Sequence, residues 1–237
     1  MKRTVTNNSK GSPDKDRISK SLFPFIYGLI VLFDLIVLSI PEWMEIREIS
    51  KPLIVGSLMV WLVYKRFPLP GKRDRIFFLA LFFSFLGDGF LNYEGYFLPG
   101  LLSFFIAHIC YCVIFLKWNG ISTALHYKRS APLLLYAVGV FLFIQNDLGP
   151  LKAYVILYMI ILLLMVISVL SRKGLTTKTA FTLGVSGALL FLFSDSLLAI
   201  NKFTYAIPYA SQMIMFSYAL AQFFLIRSFF EEDAVQA

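Results

Sequence analysis

Hydrophobic residues fall into eight runs, 22–40, 52–64, 76–92, 98–116, 132–144, 151–170, 180–200 and 208–226, separated by short stretches rich in Lys, Arg, Gly and Pro. Most have the roughly 17–25 residues that a helix needs to cross a hydrocarbon core about 30 Å thick. None alternates polar and apolar positions as a half-buried strand does. The pattern therefore predicts an all-α fold, an integral membrane bundle of eight transmembrane helices. Runs 52–64 and 132–144 are short enough to be re-entrant, and loop charge argues for counting them as spans. With eight spans most of the 22 Lys and Arg residues fall on one side, including those of the 65–75 loop. Both termini then lie in the cytoplasm, because positively charged loops are retained there. Three regions follow: a disordered basic tail at 1–20, the membrane domain at 21–230 and a short acidic tail at 231–237.

Two aspartates break the apolar pattern. Asp88 lies between Gly87 and Gly89, and Asp195 between Ser194 and Ser196. A carboxyl group at membrane depth costs roughly 2.5–3.5 kcal/mol on insertion scales, so such residues mark functional sites. The small neighbours let another helix or a ligand approach the backbone. In an eight-span topology both aspartates sit on the order of 6–8 Å below the outer interface at 1.5 Å per residue. The stretches around them echo one another four spans apart, which suggests two parallel four-helix repeats. Asp34 interrupts the first run in the same outer half.

Composition narrows the classes. A chain that is 58% hydrophobic, with 25 Phe and 12 Tyr, belongs to the membrane class. The net charge of +8 would suggest a nucleic-acid partner in a soluble chain. Here the basic residues lie between apolar runs, where they anchor loops, and no nucleic acid is expected. Cys110 and Cys112 offer neither a disulfide framework nor a four-ligand metal site. His108 lies mid-run with Tyr111 one helical turn on, and His126 falls in a loop. Lys51, Asn201 and Lys202 lie on the side of the aspartates and, with Asn92, Glu94 and Tyr96, are candidates for binding a lipid headgroup, and Tyr111 is a further substrate-binding candidate. Two histidines cannot build a three-histidine zinc site. A mixed site from Asp88, Asp195 and His108 is the one metal arrangement left, and no metal or cofactor is expected. No phosphate-binding loop, nucleophile elbow or HExxH pair occurs.

The stretches LFFSFLGDGFLNYEGYFLPGLLSFFIAHICY and SGALLFLFSDSLLAINKF, followed by YASQMIMFSYALAQFFL, resemble the YhhN-type lysoplasmalogenase family of eight-helix membrane proteins. The Lys51–Pro52 pair fits the same pattern. The resemblance implies hydrolysis of the vinyl-ether bond of a lysoplasmalogen, with an ethanolamine or choline headgroup, to a fatty aldehyde and a glycerophospho-headgroup. It implies a lysolipid entering from the bilayer and residence in a bacterial inner membrane or the endoplasmic reticulum. Vinyl-ether cleavage needs an acid that protonates the alkene carbon and a carboxylate that stabilises the cation or activates water, a division of labour known from glycoside cleavage. Asp88 and Asp195 would be that pair, with His108 holding water or a proton and Lys51 and Lys202 holding phosphate. The same aspartates would also suit a proton-coupled transporter or a non-catalytic lipid-binding protein. Oligomeric state is not legible.

Overall fold

The computed structural model describes residues 13–117 and 127–236 and, among them, contains no strand. Eight α-helices follow in order: α1 (Pro13–Val37), α2 (Arg47–Arg66), α3 (Lys72–Phe90), α4 (Phe97–Lys117), α5 (Tyr127–Ile144), α6 (Lys152–Leu170), α7 (Lys178–Phe203) and α8 (Ala210–Gln236). Each apolar run forms one helix, since a helix satisfies its own backbone polar groups where water is excluded. The ends are set by local chemistry. Asp74 Oδ2 accepts from the Gly71 amide at 3.0 Å where α3 begins. Thr177 Oγ1 accepts from the Ala180 amide at 3.0 Å where α7 begins. Lys65 and Arg66 close α2 and Lys202 closes α7, each basic group facing the negative end of its helix dipole.

Four helices, at Phe97–Leu116, Gly149–Leu170, Lys178–Phe203 and Ala210–Glu232, are long and apolar enough to cross a membrane. Helix α2 runs unbroken for 20 residues and α5 for 18, so each short apolar run lies within one continuous helix. The polar turns flanking those runs simply continue the helices. Large apolar side chains such as Phe25, Val60, Leu135 and Phe216 point outward, a surface that water would penalise and lipid accepts.

Consecutive helices pack as neighbours in each half, α1 on α2 on α3 on α4 and α5 on α6 on α7 on α8. The halves meet through α2 with α8 and α4 with α6, contacts that interchange when the halves are exchanged, and through α1 with α8, whose counterpart α5 with α4 is not among the principal contacts of the described residues. Short 3-10 turns, Pro41–Ile46 and Gly149–Leu151, link the first two helices of each half. Glycines permit the closest approaches. A Cβ added at Gly187 would come within 3.0 Å of the Ala221 carbonyl on α8, so α7 and α8 are nearly in backbone contact there.

Helices reach into both stretches read as tails. Helix α1 begins at Pro13, inside the stretch read as disordered, while residues 1–12 lie outside the described residues, as does His126. At the other end α8 continues to Gln236, and Glu232 is buried. Its carboxylate pairs with the guanidinium of Arg73 and, at 2.6 Å, with that of Arg172. Arg172 lies over the Phe115 ring at 4.8 Å and Arg73 over the Phe229 ring at 5.0 Å. Glu232 therefore ties α3, α8 and the segment after α6 together.

Candidate active site

The C-terminal ends of α3 and α7 and the N-terminal parts of α2 and α8 surround a polar chamber, with about 860 Å³ free of protein atoms, part of it open to the outside. Asp88, Asp195, Glu94, Arg47, Lys51 and Lys202 contribute its charged groups, and Tyr218, Tyr93, Ser194 and Ser211 its hydroxyls. Asp88 is 1% exposed, and its Oδ2 accepts from the Tyr218 hydroxyl at 2.8 Å. Lys51, 5% exposed, and Arg47 lie within electrostatic range of Asp88, as does Asp34. Asp34 in turn accepts from Ser50 at 2.6 Å. Two acids and two bases from three helices thus balance charge in a nearly dry interior, as buried ions must. At the rim, a hydrogen bond from Tyr93 to Glu48 and the charge of Glu48 raise the phenol above its usual range.

Behind Asp88 a chain of side chains runs into the bundle. Gln222 Nε2 donates to the Tyr218 oxygen at 3.3 Å and to Ser84 Oγ at 3.1 Å. The Tyr111 hydroxyl donates to Gln222 Oε1 at 2.6 Å. Asp195 has a separate set of partners. The Tyr158 hydroxyl donates to its Oδ2 at 2.5 Å and lies 3.0 Å from His108 Nε2, and that nitrogen is 3.7 Å from Oδ2. His108 is fully buried, and its Nδ1 has no hydrogen-bond partner among the described residues.

A second chamber, with about 720 Å³ free of protein atoms, extends from Asp195 between α4, α5, α6 and α7. Its walls are apolar, with Val140, Ile144, Leu162 and Leu192 among them. Leu91, Phe97, Phe104, Leu198 and Asp195 line both chambers, and Asp195 is the only polar residue of the five. Two of these waist residues are seated on glycine. An added Cβ would fall 2.6 Å from the Phe104 ring at Gly87 and 2.7 Å from Leu91 at Gly100.

Of the residues singled out in the sequence, Asp88, Asp195, Lys51, Glu94, Asn201 and Lys202 share the polar chamber. His108 reaches it through Tyr158. Asn92, Tyr96 and Tyr111 are not among its lining residues. Asn92 donates to the Arg47 carbonyl at 3.2 Å, and Tyr111 is fully buried against Gln222. The mixed metal site does not assemble, for no group of three His, Cys, Asp or Glu side chains suited to a metal occurs among the described residues. Arg47, Tyr158, Tyr218 and Gln222 escaped the sequence reading. One signal pointed to Tyr158: it precedes Asp195 by 37 residues, and Lys51 precedes Asp88 by the same interval.

Fold and site together define a helical bundle with apolar outer walls and two adjacent chambers, one polar and one apolar, that share five lining residues. The chain belongs to the YhhN family, whose model matches residues 46–229. It is 28% identical to human lysoplasmalogenase TMEM86A over 219 residues, with 85% of each chain covered. The bovine lysoplasmalogenase TMEM86A is 29% identical, covering 87% of each chain. Rat lysoplasmalogenase TMEM86B is 28% identical over 90% of this chain and 84% of its own. No solved structure matches significantly.

Proposed function

We propose that this protein is a membrane-embedded hydrolase that cleaves the vinyl-ether bond of lysoplasmalogens, releasing a fatty aldehyde and a glycerophospho-headgroup. All eight helices span the bilayer, with both termini on the cytoplasmic side, the orientation favoured by the basic loops. The observation that carries the reading is the position of Asp195, which lines both the polar and the apolar chamber. A lysolipid with its chain in the apolar chamber and its headgroup in the polar one sets its ether linkage beside that carboxyl group. Asp88 faces the same linkage from across the polar chamber. Arg47, Lys51 and Lys202 bind the phosphate, and Asn201 adds an amide. Names of relatives covering most of both chains support the substrate class.

The chemistry asks for little else. Protonation of the alkene carbon produces an oxocarbenium ion, water adds to it, and the resulting hemiacetal collapses to aldehyde and alcohol. Two carboxyl groups suffice for the proton transfers and for shielding the cation. Aldehyde release by purified protein tests the proposal: wild type releases it, and Asp88→Asn and Asp195→Asn, still folded, do not. Normal release by either variant would refute the paired-carboxyl mechanism. A proton-coupled carrier using the same aspartates is the second reading, favoured by the interchangeable contacts of the two halves. It predicts gradient-driven uptake into proteoliposomes with no aldehyde formed.

A further inference from the structure

The two aspartates are held by hydrogen-bond chains of different kinds. Behind Asp88, every donor has a fixed direction. The Ser84 hydroxyl gives its proton to the Ala80 carbonyl at 2.9 Å, so it can only accept from Gln222. The Gln222 amide nitrogen must therefore face Ser84 and Tyr218, and its oxygen must face Tyr111, which donates to it. Because Tyr218 accepts from Gln222, its own proton goes to Asp88 Oδ2. In this arrangement Tyr218 donates to Asp88 at that oxygen instead of accepting from it. Lys51 and Arg47 lie within electrostatic range of the same carboxyl group.

Behind Asp195 the chain can reverse. The Tyr158 hydroxyl lies between Asp195 Oδ2 at 2.5 Å and His108 Nε2 at 3.0 Å, and either end can hold the proton. With His108 as imidazolium, Nε2 donates to Tyr158 and Tyr158 donates to the Asp195 carboxylate. When both protons shift, His108 is neutral and Asp195 is a carboxylic acid. The unit is uncharged overall in either arrangement, which suits its burial.

Building on the hydrolase reading above, we infer that the aspartates have separate roles. Asp195 is the proton donor, reloaded from His108 through Tyr158, and Asp88 is the base that receives the proton of the attacking water. In the first step the Asp195 O–H bond breaks, a C–H bond forms at the alkene carbon, and the π electrons leave a cation on the ether-bearing carbon. Water then bonds to that carbon and passes a proton to Asp88. The hemiacetal hydroxyl proton ends on the departing glycerol oxygen as the C–O bond breaks. Asp88 returns its proton to solvent in the open chamber, and His108 recovers one, so the net change is one water consumed. Asp195 also borders the apolar chamber, where the alkenyl chain lies, and Asp88 does not. Tyr158, His108, Tyr218 and Gln222 are positioning residues.

Chemical rescue by formate separates the roles, because formic acid replaces a lost donor and formate ion replaces a lost carboxylate. The groups facing Asp195 are Tyr158 from α6 and His108 from α4. Those facing Asp88 are Tyr218 from α8, Lys51 and Arg47 from α2 and Asp34 from α1. Full-length Asp195→Ala and Asp88→Ala are each expected to lose about 10²–10⁴-fold in turnover. At fixed total formate between roughly pH 5 and 7, undissociated acid falls about tenfold per pH unit while the ion stays constant. The activity regained by Asp195→Ala should follow the acid, and that regained by Asp88→Ala should follow the ion. Tyr158→Phe should gain turnover from formic acid, which reloads Asp195 directly, with KM unchanged, and Tyr218→Phe should not. The opposite pattern, the same pH trend in both alanine variants, or no regain in either overturns the assignment. Wild-type protein that releases no aldehyde removes the hydrolase reading itself, a result separate from all of these.

Discussion

Gly87→Ala adds a single methyl group beside Asp88, and its consequences follow from one contact. An ideal Cβ at Gly87 lies 2.6 Å and 2.7 Å from two carbons on the edge of the Phe104 ring. Carbon atoms rest at about 3.5–4.0 Å, so the ring must move by about 1 Å. Phe191 and Tyr218 flank the ring edge-on at 6.3 and 5.7 Å, which leaves the waist between the chambers as its free direction. Overpacking of this kind costs about 1–3 kcal/mol, and the better helix propensity of alanine offsets up to about 1 kcal/mol. The net loss of stability is therefore about 0–3 kcal/mol. Turnover should fall further, by about 10²-fold, because a shift of 1 Å misplaces the ether linkage. Gly89→Ala is the internal control: it flanks the same aspartate from the other side with nothing within 4 Å of its Cβ. Thermal unfolding and aldehyde release, measured on both variants, decide the matter. Adding Phe104→Leu to Gly87→Ala should return activity by making room. Equal activity of the two alanine variants, or no recovery in the double variant, would refute a waist seated on Gly87.

Other expectations concern charge. Glu232→Gln should destabilise the fold by about 3–5 kcal/mol, as loss of a buried ion-pair partner does, whereas Glu231→Gln, half-exposed beside Arg227, should cost under about 0.5 kcal/mol. Thermal unfolding compares them, and turnover per folded molecule should not change, since Arg73 and Asp88 are about 22 Å apart along α3 at 1.5 Å per residue. Deleting residues 231–237 should behave like Glu232→Gln, an outcome that a disordered tail would not produce. Lys51→Met should raise KM about 10–150-fold by losing a charge-assisted contact of 1.5–3 kcal/mol. Lys202→Met, at an exposed position, should raise it by less than about fivefold.

The helices and the two aspartates were legible because each carries a large free-energy signature. A run of twenty apolar residues has one low-energy form in lipid, and an ionisable group inside it is costly enough to be informative. The residues that serve those aspartates carry no such mark. Tyr158 and Tyr218 are amphipathic side chains among twelve tyrosines, and Gln222 sits in a run otherwise rich in Phe and Leu. Their importance comes from lateral packing, since α6 meets α7 and α8 meets α2, and hydropathy says nothing about which helix faces which. Tyr111 shows the converse. Its place one turn from His108 suggested the cavity, but that turn rotates it toward Gln222 and away from Asp195. Glu232 was hidden by composition, because a polar C-terminal stretch has the same local pattern whether solvated or buried against two arginines. Gly87 and Gly89 looked alike beside Asp88, and only the position of Phe104 separates them.

Turnover of a lysoplasmalogen in deuterium oxide, followed by mass analysis of the aldehyde, bears most directly on the central claim. Acid delivery to the alkene carbon predicts one deuteron on the carbon next to the aldehyde group, with no product from Asp88→Asn or Asp195→Asn. Aldehyde without that deuteron, or with it but from either variant at the wild-type rate, would contradict the account.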